Sequence, residues 1–341
     1  MRPLRADERP TVVAGQAGYA QRTFSPPYSD LVPTASAPLP SPVPPGASAL
    51  RLRGREISAA APGVMAIINR TRDSFWGGNR HADLESAMTA LHAAVDAGAD
   101  IVDVGGVRAG EQGEEVSPAM EIERVVPFLA RAREAYPDLV LSLDTWRAEV
   151  AQAAGAYIDV VNDTWQGADP DLVHVTAELG AGIVVSHTGG LAPRTDPRGV
   201  TYPPEPDGVR TDVLRVLRAG AERAEGAGIP PERILVDPTL DFGKTTRHSL
   251  TLLRHSAETV ALGYPVLQAL SRKDFIGETL DLDADDRLEG TLASTAVAAW
   301  LGVTVFRAHD VRATRRVLDM VAAIRGDRPP ARALRGVADP R

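Results

Sequence analysis

Polar side chains recur at the ends of short runs rich in valine and isoleucine: Asn69, Asp103, Asp144, Asn162 with Asp163, His187, Asp237, Ser271, and then Arg307 with His309. One such residue would be read as a cap or a loop brace. Recurring at the same point of successive runs, groups this costly to bury imply a shared binding surface. Arg307 and His309 are two residues apart, so on an extended strand they face the same way and suit a phosphate. Arg272 and Lys273 add positive charge nearby in sequence. Asp144, Asn162 and Asp237 contribute acceptors and one amide. A carboxylate can take two parallel hydrogen bonds from an amidine-like edge, and an amide matches a mixed donor–acceptor edge. Together these residues describe a site for a planar, nitrogen-rich heterocycle with an anion beside it.

The elements that must position them follow a regular rhythm from residue 64 onward. Strands are expected over 64–69, 101–106, 140–145, 158–163, 182–188, 234–239, 265–271 and 303–310, with Ala-rich amphipathic stretches between them. Asp83 is placed to cap the first helix, and Pro118 falls just inside the second. Val209, Val213, Val216, Gly220 and Ala224 share one face of the fifth. Continuously apolar strands imply burial on both faces, as in a parallel sheet covered by helices. The expected fold is therefore an α/β TIM (β/α)₈ barrel, whose site lies at the C-terminal mouth, with phosphate commonly held near strands seven and eight. A doubly wound open sheet is the alternative, but the Gly-rich fingerprint expected after its first strand is missing. Residues 1–46 differ: the Pro-, Ser- and Ala-rich stretch from Ser25 to Pro45 is expected to be a disordered tail, leaving 47–341 for the barrel.

Composition narrows the function classes. The 341 residues are 44% hydrophobic and 24% charged, with a formal net charge of −8, a poor match to a nucleic-acid binder. No apolar run is long enough to span a membrane, and the charged N-terminus is not followed by the apolar stretch of a secretory signal. The absence of cysteine excludes disulfides and thiolate zinc sites and is compatible with the cytoplasm. The 7 histidines are scattered without a metalloprotease-like spacing. Magnesium carried in with a phosphate needs only one or two protein oxygens plus water. Trp146 and Trp165 are expected to pack between barrel and helices rather than stack on a ligand, and Asp281–Asp286 to form a solvated helix start. Arg194 and Arg198 are assigned to a surface loop; His187 could line the pocket or brace that loop.

Seven segments, in order, resemble the signatures of the dihydropteroate synthase family: IINRTRDSF (67–75), AGADIVDVGG (97–106), LDTWRAEVA (143–151), VNDTW (161–165), VDPTLDFGKT (236–245), LSRKDFIGE (270–278) and FRAHDV (306–311). The resemblance implies a transferase that joins 6-hydroxymethyl-7,8-dihydropterin pyrophosphate to p-aminobenzoate and releases pyrophosphate. It implies that Asp144, Asn162, Asp237 and Lys273 hold the pterin and that Ser271 lies near the aminobenzoate. Arg307 and His309 would bind pyrophosphate, and Asn69 would reach it through Mg²⁺. Lys273, Arg307 and His309 are the implied catalytic set. It also implies a cytoplasmic protein and a homodimer through late helices, for which Ala293 to Trp300 offers a small-residue face.

The sequence also departs from the family pattern. Where family members carry G-G-E-S-T-R-P-G after the second strand, residues 105–115 read GGVRAGEQGEE and keep one arginine, Arg108. Arg72 stands where proline is usual, Thr239 and Asp241 replace two glycines, and Asp274 replaces a serine. These changes point to a divergent paralogue group with an altered aminobenzoate half. The alternative function is then a non-catalytic pterin-binding homologue with a regulatory or carrier role. A folate-dependent methyltransferase-like protein ranks third, because it has no use for Arg307 and His309 as a pyrophosphate site.

Overall fold

The computed structural model describes residues 48–70, 83–108, 115–195, 200–202 and 208–334. The expected N-terminal tail, Arg72 and the rest of its signature through Phe75, the centre of the altered loop and Arg198 lie outside them.

The first described element was not anticipated. Strands β1 (Leu50–Leu52) and β2 (Arg55–Ile57) form an antiparallel hairpin. Its two-residue turn, Arg53 and Gly54, has φ of 48° and 71°, the left-handed pair that matches strand twist in a tight hairpin. Eight parallel strands follow: β3 (Gly63–Asn69), β4 (Ile101–Gly105), β5 (Val140–Asp144), β6 (Val160–Asp163), β7 (Gly182–Ser186), β8 (Ile234–Asp237), β9 (Leu267–Ala269) and β10 (Val305–Ala308). They pair in the order β8-β7-β6-β5-β4-β3-β10-β9, and a single parallel bridge, Val236 to Val266, joins the two outer strands. The sheet is thus closed into the expected (β/α)₈ barrel.

The helices cover its outside. They are α1 (Leu84–Asp96), α2 (Pro118–Ala135), α3 (Ala148–Ala154), α4 (Leu172–Glu178), α5 (Gly208–Gly226), α6 (Thr246–Arg254), α7 (Ser256–Val260), α8 (Asp274–Leu280), α9 (Leu288–Trp300) and α10 (Val311–Arg325). Asp83 caps α1 by accepting the Ser86 N–H at 2.7 Å, and Ser117 caps α2 ahead of Pro118. The buried face of α5 is turned slightly from the expected one: Leu217 and Ala221 are buried with Val209, Val213, Gly220 and Ala224, while Val216 is partly exposed. Each large side chain fully buried against the strands, such as Phe128 or Leu129 of α2, contributes ~1.5–3 kcal/mol.

Strand periodicity divides the barrel interior into levels. At the bottom, Met65, Ile101, Val140, Val160, Val184, Leu235, Leu267 and Val305, one from each strand, form an apolar cluster with Leu50, Leu52 and Ile57 of the hairpin. The hairpin therefore plugs the N-terminal end. Two residues further along, the same inward face carries Asp103, Ser142, Asn162, Asp237 and Arg307. Apolar floor and polar mouth are thus set by alternation within strands of four to seven residues, β9 apart.

Candidate active site

Arg307 lies at the centre of the mouth. Its Nε donates to Asp103 Oδ2 at 2.6 Å and its Nη2 to Asp144 Oδ2 at 2.7 Å. Asp103, fully buried, also accepts from Ser142 Oγ at 2.5 Å and Asn162 Nδ2 at 3.1 Å. Arg307 therefore ties β10 to β4 and β5 across the barrel. Asp103 was noted in the sequence as a strand end but not as a site residue. Its inward direction, two positions after Ile101, is the signal that identifies it. Burial pushes the Asp144 carboxyl up to about 7 against the pull of Arg307, and the neighbouring Asp103 adds to the rise. Asn162 faces inward, but the adjacent Asp163 faces outward, where it accepts the Trp165 and Gly167 N–H groups at 3.0 and 2.6 Å and braces the loop after β6.

On the opposite wall, Asp237 Oδ1 accepts the Thr239 N–H at 2.7 Å, while its other carboxylate oxygen has no hydrogen bond among the described residues. Burial raises its carboxyl to about 6 despite Thr239, Lys273 and Lys244. Lys273 donates to Leu240 O at 2.9 Å, and its Nζ sits 4.6 Å from the Phe242 ring centroid. Burial lowers its pKa, opposed by Asp241 and Asp237. Ser271 Oγ and His309 Nδ1 are 2.9 Å apart. Burial, then Arg307, Arg272 and Lys273, drives His309 down to about 3 in the ligand-free protein. Arg272 turns away and pairs with Asp310 through Nε at 3.1 Å.

The loop between β8 and α6 has an unusual backbone. Thr239, Asp241 and Gly243 have φ of 50°, 72° and 61°. These are the three glycine positions of the family pattern, so the backbone keeps the glycine conformation where two glycines are gone. Each non-glycine residue costs ~1–2 kcal/mol there, and for a β-branched threonine the conformation is rare. Both side chains are engaged. Thr239 Oγ1 accepts the His187 N–H at 3.1 Å and donates to Asp237 O at 2.9 Å. Asp241 Oδ2 accepts the Asp274 N–H at 2.7 Å and also bonds the Phe275 N–H, while Oδ1 accepts from Ser249 Oγ at 3.2 Å.

Lys244, quoted within its motif but given no role from sequence, braces this loop from below. Its buried Nζ donates to the carbonyls of His187, Thr239 and Phe242 at 2.8, 3.1 and 2.8 Å and lies 3.0 Å from His187 Nδ1. His187 Nε2 is 3.0 Å from Asp212 Oδ2, which makes His187 a loop brace. Burial lowers Lys244 to about 7 and, with Lys244 beside it, His187 to about 4. Trp165 is buried edge-on against Trp146 and Phe242, and the half-buried Trp146 carries the Arg147 guanidinium 4.5 Å from its ring centroid. Asp281–Asp286 form the turn from α8 to α9, with a short 3₁₀ segment at Ala284–Asp286 ahead of the helix start.

Asn69 closes the inward face of β3 and makes no side-chain hydrogen bond among the described residues. A Cβ on Gly105 would lie 3.7 Å from both Asn69 Oδ1 and Asp144 Oδ2, so this glycine leaves open the space between two oxygen donors. Among the described residues, no three His, Asp or Glu side chains cluster as metal ligands. Arg108 ends the described part of the loop after β4. That loop's two ends are anchored by Arg124 Nη1 on Gly106 O at 3.0 Å and Arg147 Nη2 on Val116 O at 2.8 Å.

A closed barrel whose mouth interleaves carboxylates and an amide with Arg307 and Lys273 defines a small-molecule-binding protein of the (β/α)₈ class. Residues 65–309 match the family model described as pterin binding enzyme. A Mycobacterium leprae protein named inactive dihydropteroate synthase 2 is 55% identical over 288 residues, 84% of this chain and 99% of that one. The dihydropteroate synthase of Escherichia coli is 33% identical over 272 residues, 80% of this chain and 94% of that one. The structure of a Coxiella burnetii dihydropteroate synthase in complex with pteroic acid superposes with a TM-score of 0.71 at 31% identity, covering 82% of this chain and 98% of that one. The chain belongs to the dihydropteroate synthase family of pterin-binding enzymes.

Proposed function

We propose that this chain binds a reduced pterin in the barrel mouth and does not join it to p-aminobenzoate at the rate of a working synthase. The observation that carries this is the contrast between the two halves of the mouth. Asp144, Asn162, Asp237 and Lys273 keep the residue types that the family pattern has at the pterin positions, while residues 105–115, Asp241 and Asp274 depart from that pattern. The high identity to a relative named inactive supports the same reading. Asp237 offers its unbonded oxygen to the N–H edge of the ring, Asn162 its amide, and Lys273 a donor to a ring carbonyl. The pKa values near 7 and 6 at Asp144 and Asp237 are consistent with sites that gain a cationic or donor-rich partner. The ligand's anion would lie toward Arg307, His309 and Ser271. Asn69, whose Oδ1 faces the space left by Gly105, would hold a magnesium ion arriving with a pyrophosphate through a hard oxygen of the kind that ion takes. Bound there, the ion would neutralise charge on the leaving group.

Retention of Asn69, Arg307 and His309 favours a second reading, a residual synthase with the pterin pyrophosphate as donor. Both readings are tested by titrating the pterin pyrophosphate and then following pyrophosphate release with magnesium, with and without p-aminobenzoate, using Asp237→Asn as control. Binding lost in Asp237→Asn, without aminobenzoate-dependent release, is the expected result. Aminobenzoate-dependent release would establish the synthase, and no binding at all would overturn both. Exposed Val297 and Trp300 on α9 and Met320 and Ile324 on α10 support a homodimer through these helices.

A further inference from the structure

The strained residue Asp241 has a consequence for what can sit beside the pterin. Its carboxylate is held at the mouth end of the β8–α6 loop by the Asp274 and Phe275 N–H groups and Ser249 Oγ, in a residue with φ of 72°. The same carboxylate lies close enough to Lys273 for that lysine to be its largest opposing charge. Lys273 has its other neighbours fixed: Leu240 O on its Nζ, Phe242 under it, and Asp237 beside it. Asp274, next in sequence, points to Arg287 Nη1 at 2.9 Å and adds a further carboxylate at this rim. Lys273 is thus already faced by two aspartates, the buried Asp237 and the partly buried Asp241, and is not a free cation for a second ligand's carboxylate. The two main-chain N–H groups that would help hold such an anion are occupied from within the chain. Retaining a left-handed aspartate where glycine is unstrained makes sense if its side chain has a use.

Building on the proposed pterin site, we infer that Asp241 is a selectivity residue that makes the pocket beside Lys273 refuse aromatic carboxylates and accept an uncharged aromatic amine. An incoming carboxylate would have to displace an internal one and would meet its charge. An uncharged amide or amine of the same shape meets neither obstacle.

The test compares p-aminobenzoate with p-aminobenzamide, its uncharged counterpart, by calorimetric titration of the full chain in the presence of the pterin and magnesium. Wild type, Asp241→Gly and Asp241→Asn are used. Glycine removes the carboxylate and relieves the backbone. Asparagine tolerates the left-handed conformation and keeps an acceptor for the two N–H groups without the charge, so it also carries the test if the glycine variant folds poorly. The wild type is expected to prefer the amide by at least about 10-fold, the lower end of what hydrogen bonds to a charged group contribute. Asp241→Gly should bind the acid roughly 10- to 100-fold more tightly than wild type does, and Asp241→Asn should fall between. Equal binding of acid and amide by the wild type, no gain of acid binding in either variant, or failure of both compounds to bind would overturn the inference. Pterin affinity is measured beforehand by itself, so a missing pterin site is seen as such and counts against the proposed function instead.

Discussion

Replacing Arg307 with methionine tests the account of the barrel interior most directly. The substitution keeps much of the apolar stem but removes two charged hydrogen bonds, at 2.6 Å to Asp103 and 2.7 Å to Asp144. It leaves two inward carboxylates without a counter-charge. Breaking a buried pair by deleting one partner costs ~3–5 kcal/mol. At roughly 2 °C per kcal/mol for a domain of this size, the melting temperature should fall by ~6–10 °C at pH 8. The deficit should depend on pH in a definite direction. Asp144 already has a folded-state pKa raised to about 7, so the stability its protonated form contributes is full below its unfolded value and is lost as pH rises through 7. Loss of the guanidinium raises it further, and each extra unit adds ~1.4 kcal/mol to the difference between variant and wild type above that pH. Thermal unfolding at pH 5.5 and pH 8 should therefore show the smaller deficit at pH 5.5. A variant within ~1 kcal/mol of wild type at both pH values, or equally destabilised at both, would refute the placement of Arg307 between the two carboxylates.

Other expectations follow from the same geometry. Asp237→Asn should weaken pterin binding by roughly 10- to 100-fold in a fluorescence titration, because a charged acceptor becomes neutral. In the wild type, affinity should fall as pH drops through about 7 and then 6, where Asp144 and Asp237 take up protons and lose acceptor strength, as titrations between pH 8 and 5 would reveal. Lys244→Met should lower stability by ~1–3 kcal/mol in chemical denaturation, since the carbonyls of His187, Thr239 and Phe242 lose their donor. Trp300→Glu combined with Met320→Glu should break the proposed dimer, read as a fall of the sedimentation coefficient to the monomer value, while leaving pterin affinity unchanged.

All eight barrel strands were legible because burial on both faces leaves an unbroken apolar run, and the polar residues closing those runs stand out against it. The ends were less legible. Ser271 and His309 lie beyond β9 and β10, in a turn and a bend outside the strand ladder. Three-residue strands carry no period, so the β1–β2 hairpin was invisible although Leu50, Leu52 and Ile57 complete the floor. The split of the β8–β9 connection into α6 and α7 leaves no breaker stronger than an ordinary polar residue. Within the site, sequence order singled out Asp144, Asn162, Asp237, Lys273 and Arg307. It did not show that Arg307 would be held by Asp103, because that contact spans 204 positions. Nor did it show that Thr239 and Asp241 would keep a glycine's backbone, since strain belongs to the folded loop and not to residue type.

The barrel closes between β8 and β9 through one bridge, Val236 to Val266, where its other joints have ladders of three to five pairs. The residues proposed to grip the pterin stand on either side of that joint, Asp237 on β8 and Lys273 just beyond β9. A cylinder with one thin stave joint breathes there first, and a ring clasped from both sides acts as a rivet. Occupancy should then be registered far from the ligand itself, as slowed deuterium uptake by the amides flanking 236 and 266, and a protein with no chemistry to perform could still report in this way whether its pterin is present.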